Sequence, residues 1–148
     1  MKNIGIIGSG IAGLHLGLFL QKHGFDATIY SDKSPEQIRT GRIPSFVVRF
    51  EDTLERERIL GVNHWDFPGF GVFGVHMYIG AGPSPITWFG SNVRPSSTVD
   101  MRIYQSTLLE DFAKRGNLHG EIIFFDELIF PDQFEQFVFR QNAVAIFD

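Results

Sequence analysis

Asn3-Ile4-Gly5-Ile6-Ile7-Gly8-Ser9-Gly10-Ile11-Ala12-Gly13 is the stretch on which the fold turns. Residues 3–7 are a short apolar run with β-branched members, stopped by Gly8, and read as a buried strand. Ile11, Leu14, His15, Leu18 and Phe19 then follow helical spacing up to His23, with Gly24 as the stop. Residues 25–30 (Phe-Asp-Ala-Thr-Ile-Tyr) alternate and read as a second strand. Strand, helix and strand within about 30 residues predict a βαβ unit.

Within that unit, residues 8–13 fit the pattern G-x-G-x-x-G. The pattern alone is weak; between a strand and a helix it is informative. Gly8 allows a tight turn, Gly10 lets backbone approach a diphosphate with no Cβ in the way, and Gly13 lets helix and strand pack closely. The helix start offers N–H groups and the positive dipole end to phosphates. Gly8, Ser9, Gly10, Ile11, Ala12 and Gly13 are therefore candidate cofactor-binding residues. An acid is expected at the end of the second strand for a ribose hydroxyl. Ser31 stands there, followed by Asp32, and both are candidates. Lys33 raises the rival reading of a 2′-phosphate and hence NADP, although a single loop lysine is more often solvated.

Outward from the unit, residues 31–35 read as a loop and 45–60 as a helix, with Val47, Phe50, Leu54 and Arg58 on one face and Gly61 as its end. Residues 72–79 and 86–89 predict a hairpin around a Gly/Pro-rich loop, outside the parallel sheet. Asp100 is a candidate cap for a helix to about Arg115, closed by Gly116. Residues 121–125 read as a third strand, and beyond Asp126 no period is evident. The fold class expected is α/β, a single and incomplete domain over 1–148 with a hairpin or loop insert over 66–98.

Composition narrows the function. Thirteen Lys+Arg against seventeen Asp+Glu are interspersed, so no basic stripe exists and nucleic acid is not an expected partner. With no cysteine, disulfides, thiolate metal sites and a cysteine nucleophile are excluded. The uncharged runs 4–20 and 67–93 are broken by glycine or proline, so no membrane partner is expected, and a cytoplasmic location is. The five histidines show no metal-ligand spacing, and His15 reads as a packing residue. No Ser/His/Asp arrangement stands out, so neither catalytic nor metal residues are nominated. Glu51, Asp52, Glu55 and Glu57 read as a solvated helix face. Arg42 and Arg102 flank elements where a guanidinium can reach a phosphate, and are candidates for that contact.

The chain resembles the FAD-dependent oxygenase component of two-component styrene monooxygenases and related indole epoxidases. The resemblance runs through residues 4–20, His23-Gly24, Asp26-Ala27-Thr28 and Tyr30-Ser31-Asp32. It continues through Arg39, Arg42, Val62-Asn63, Trp65, Phe70-Gly71, Phe73-Gly74, Pro95-Ser96, Val99-Asp100, Arg102 and Tyr104-Gln105. The helix Leu14-His15-Leu16-Gly17-Leu18-Phe19-Leu20 and the segment Arg102-Ile103-Tyr104-Gln105 are more specific than the glycine motif.

The resemblance implies a Rossmann-like FAD-binding domain of glutathione-reductase type, a parallel sheet with flanking helices. It implies FAD as cofactor, with a separate flavin reductase supplying it reduced. It also implies transfer of one oxygen, through a flavin C4a-hydroperoxide, to the double bond of a small aromatic alkene or an indole. In that chemistry the cofactor is the oxidant and the protein supplies orientation and a dry pocket. By the same resemblance residues 8–13 hold the diphosphate, Ser31 and Asp32 lie near the adenosine, and Arg42 and Arg102 contact phosphate or flavin.

Family members are longer, with a strand ending in Ala-Thr-Gly, a substrate domain and a late Gly-Asp motif. None of these occurs here, Ser45 stands where the family usually has Asn, and residues 127–148 depart from the family pattern. The expectation is a truncated FAD-binding part of such an enzyme, with a dinucleotide-binding module without catalysis as the alternative.

Overall fold

The computed structural model describes residues 3–42, 45–66, 71–72, 74–80, 83–84, 86–91, 96–124 and 143–146. In chain order the elements are β1 (Asn3–Ile7), α1 (Ile11–Lys22), β2 (Asp26–Ser31), α2 (Pro35–Thr40), β3 (Phe46–Phe50), α3 (Glu51–Leu60), β4 (Gly74–Ile79), β5 (Ile86–Ser91), β6 (Ser96–Asp100), α4 (Met101–His119), β7 (Gly120–Phe124) and β8 (Ala143–Ile146). The chain is a mixed α/β protein that divides into two compact units, one of Met1–Pro44 with Met101–Asp148 and one of Ser45–Asp100.

The first unit holds a four-stranded sheet in the order β7-β2-β1-β8. β1 pairs parallel with β2, in a register that sets Ile7 against Tyr30, and β2 pairs parallel with β7. β8 closes the other side of β1 in the antiparallel sense. Ile6, Ala27 and Ile29 from the strands, Leu14 and Leu18 from α1, and Tyr104, Leu108, Leu109 and Phe112 from α4 form its core. Gly17 sets the approach of α1 to α4: a Cβ there would lie 2.8 Å from Phe112 Cε2 and 3.1 Å from Ile29 Cδ1. α1 ends as its sequence requires. Gly24 takes φ +76°, and the Phe25 N–H returns to the Leu20 carbonyl at 3.0 Å.

Several expectations are corrected. Residues 46–50 form a strand rather than the start of a helix, paired antiparallel with β6, and only Glu51–Leu60 is helical. The burial of β3 alternates, with Arg49 as its inward residue, so an arginine hid the two-residue period. The loop expected over residues 31–35 gives way at Pro35 to a helix, Pro35–Thr40, whose Ser34 and Gln37 make a reciprocal capping box. α4 runs through Gly116 to His119, because a glycine weakens a helix interior without ending it.

In the second unit β4 and β5 pair antiparallel as a separate two-stranded sheet, the hairpin read from the sequence. A buried ion pair anchors α3 to β3. Arg49 Nη1 donates to Glu57 Oε2 at 2.6 Å, the two side chains being 1% and 0% exposed. Arg49 Nη2 donates to Ser97 Oγ at 2.6 Å, the Ser97 hydroxyl donates to the Trp65 carbonyl at 3.0 Å, and the guanidinium carbon lies 5.4 Å from the Trp65 ring centroid. Glu57 is therefore not part of a solvated face, although Asp52 and Glu55 are exposed. Arg58 bonds Asp66 and Glu51, which holds the Asp66 carboxyl below its ordinary range and raises the guanidinium.

Candidate functional site

The glycine turn joins the C-terminal end of β1 to the start of α1. Gly8 takes φ +95°, a conformation that favours glycine, and its N–H donates to the Tyr30 carbonyl at 2.7 Å. Gly10 is the helix N-cap at φ −67°, ψ 164°, backbone angles that any residue adopts. Gly13 faces the turn so closely that a Cβ would lie 2.8 Å from the Gly8 carbonyl oxygen. Among the described residues no side chain caps α1, and its first turn carries no acid. The positive end of the helix dipole is thus not offset locally, which is the electrostatic condition an anion needs.

Ser9 is held from two directions. Its hydroxyl lies 2.7 Å from Ser31 Oγ, and its carbonyl accepts from Gln105 Nε2 at 2.9 Å. Ser31 is buried at the end of β2, where its hydroxyl donates to the Lys33 carbonyl at 2.7 Å and accepts from the Lys33 N–H at 3.3 Å. A hydroxyl has one proton to give, so Ser9 is the donor between the serines, and both lone pairs of Ser31 are occupied. Asp32, the next residue, is exposed, with its carboxylate 3.9 Å from Lys33 Nζ.

Arg102 Nη1 donates to the Gly41 carbonyl at 3.3 Å, which places it beside the backbone of Arg42, itself exposed. Arg39 and Glu110 tie α2 to α4 at 2.5 Å. Arg102 and Gln105 stand one turn apart on α4, so this helix touches both the end of α2 and the glycine turn. His15 contributes a side-chain bond, Nε2 to Tyr104 Oη at 2.9 Å, that fastens α1 to α4, in keeping with a packing role. The structure brings together Ser9 and Ser31, and it brings Arg102 to residue 41.

Sequence reasoning did not assign Gln105 or α2 a part in this arrangement. The Ser34-Pro35-Glu36-Gln37 capping pattern was the available signal for α2; the Gln105 bond joins residues 96 apart and leaves no local signal. Among the described residues no group of histidine, aspartate and glutamate side chains is arranged to hold a metal ion, and no helix is long and apolar enough to cross a membrane.

No protein-family model matches the chain. It is 44% identical over 115 residues to styrene monooxygenase StyA of a Pseudomonas species, a match covering 78% of this chain and 28% of that protein. It is 43% identical over 115 residues to styrene monooxygenase StyA of Pseudomonas fluorescens, with the same coverage of 78% and 28%. The chain thus spans 28% of the length of the curated relatives it matches. Among solved structures, p-nitrophenol 4-monooxygenase PnpA from Pseudomonas putida DLL-E4 is similar in fold, with a TM-score of 0.55 at 16% identity over 84% of this chain and 32% of that one. The resemblance read from the sequence is established: over these residues the chain is a homologue of styrene monooxygenase.

Proposed function

We propose that this homologue of styrene monooxygenase is a Rossmann-like, FAD-binding part of a flavoprotein monooxygenase, and that its glycine turn holds the diphosphate of FAD. The observation that carries the reading is the start of α1, where a glycine N-cap leaves the first turn with neither a capping side chain nor an acid. Phosphate oxygens fit such a start, because backbone N–H groups and the helix dipole both favour negative charge there. Residues 8–13 form this cradle. β1 and β2 run parallel, so the turn and the end of β2 share the carboxyl end of the strands, the end at which such folds bind nucleotides.

In this reading Asp32 takes the ribose hydroxyls. Ser31, whose hydroxyl is already fully engaged, fixes the strand end rather than the ligand. Arg42 and Arg102 face the phosphates or the flavin side, with Arg102 steadied on the Gly41 carbonyl. Lys33 and its neighbouring acid do not make a 2′-phosphate site, since Asp32 would oppose the added charge. Bound FAD supplies the oxygen-transfer chemistry; the residues of this chain bind and orient it. The substrate class is a small aromatic alkene, the partner a separate flavin reductase, and the location the cytoplasm.

The alternative is a dinucleotide-binding module without catalysis. One experiment separates the two: FAD binding followed by flavin fluorescence, then epoxide formation from styrene with a flavin reductase, NADH and oxygen. Binding with epoxide supports the enzyme reading. Binding without epoxide supports the module, and no binding of FAD or ADP overturns both.

A further inference from the structure

Gln105 lies near the start of α4, and its side-chain amide donates to the Ser9 carbonyl at 2.9 Å. A carbonyl oxygen only accepts, so the amide presents its NH2 group there. Resting on the nucleotide reading above, we infer that Gln105 is a positioning residue that aims the Gly10 N–H at the diphosphate. The described backbone has no cis peptide bond. In a trans peptide the C=O of one residue and the N–H of the next point in opposite directions. Holding Ser9 O toward Gln105 therefore holds the Gly10 N–H on the far side of the same plane.

The next peptide plane is set by the helix itself. The Leu14 N–H donates to the Gly10 carbonyl at 2.9 Å, so the Ile11 N–H points out of the helix start. Two successive donors are thus aimed, one by the first bond of α1 and one by a side chain from α4. Glycine at position 10 makes the outside hold necessary, because a residue with no Cβ restricts its peptide plane least. The bond from the Gly8 N–H to the Tyr30 carbonyl fixes the plane between Ile7 and Gly8, and the Ser31 contact fixes the Ser9 side chain; neither fixes the plane between Ser9 and Gly10.

The test is ADP binding by calorimetry with the full chain, Gln105→Leu and Gln105→Glu, at about pH 7.5 and about pH 3.8, either side of an ordinary glutamate pKa. Gln105→Leu binds ADP about tenfold more weakly than wild type, the loss of one aimed donor, and keeps its cooperative unfolding transition. Gln105→Glu is weaker by at least as much at neutral pH, where a carboxylate faces a carbonyl. Acidification protonates that carboxyl and restores a donor, so the ratio of its affinity to that of wild type rises while the Gln105→Leu ratio stays flat. Taking the ratio removes the titration of ADP itself.

Variants that bind ADP as tightly as wild type overturn the inference. A loss in Gln105→Glu that acid does not relieve overturns it too, since that marks packing alone; this arm decides the matter if Gln105→Leu fails to fold. A wild-type chain that binds no ADP is a distinct result and overturns the nucleotide reading beneath it.

Discussion

Ser9 and Ser31, 22 positions apart in sequence, face each other with hydroxyl oxygens at 2.7 Å in a buried contact. The bond joins the middle of the glycine turn to the end of β2. It also removes Ser31 from the list of groups free to meet a ligand, because its proton goes to the Lys33 carbonyl. The first prediction contrasts the two candidates at this strand end. Ser31→Ala leaves buried polar groups without their partner and lowers unfolding stability by about 1–3 kcal/mol in urea titration. Asp32→Ala, at an exposed position, changes stability by less than about 0.5 kcal/mol and weakens ADP binding about tenfold. Equal ADP affinity in Asp32→Ala and wild type would remove Asp32 from the ribose.

The second prediction concerns Arg49 and Glu57. Both are buried, and removing one partner strands the other charge away from water. Glu57→Ala is expected to destabilise the protein by about 3–5 kcal/mol. Arg49→Met combined with Glu57→Leu loses much less, since neither charge is left alone. Denaturant unfolding of Arg49→Met, Glu57→Leu and the double variant measures the coupling. Additive losses would show that the pair does not act as a unit.

The third prediction is a pH dependence. The hydrogen bond from Arg58, with a smaller charge attraction, holds the Asp66 carboxyl below its ordinary value of 3.8, and burial opposes the shift only in part. A carboxyl lowered in the folded state contributes stability that is present above its unfolded pKa and is lost as pH falls through the folded one. The contribution is about 1 kcal/mol or less, because Arg58 is part-exposed to solvent. Wild type and Asp66→Asn should therefore differ in urea midpoint at neutral pH and converge below about pH 3.8. A gap that persists unchanged in acid would assign the effect to packing.

How far the sequence disclosed this arrangement depended on whether the signal was local. β1, α1 and β2 were legible because a buried strand, a helical period and turn glycines follow one another without interruption. Phe46–Phe50 was misread because Val47, Phe50 and Leu54 match a helical period by coincidence, while the inward position of the strand is an arginine. That arginine is tolerated only because Glu57 and Ser97 meet it, and those partners lie 8 and 48 residues away. Glu57 was misread for the same reason: a buried carboxylate cannot be told from a solvated one until its partner is placed. In the candidate site the glycine motif was legible from spacing, whereas the Gln105 bond spans 96 residues. The role of Ser31 depends on three bonds at once, two to Lys33 close in sequence and one to Ser9, 22 residues away.

The most direct measurement is ADP binding to wild type and Gly10→Val by titration calorimetry, with the unfolding midpoint of each recorded. Gly10 sits at φ −67°, ψ 164°, so valine meets no backbone strain there, and its added bulk acts on the ligand. The account predicts saturable binding by wild type, a loss of at least about tenfold in Gly10→Val, and closely similar unfolding midpoints. Wild type that fails to bind ADP, or Gly10→Val that binds it equally well, would contradict the account.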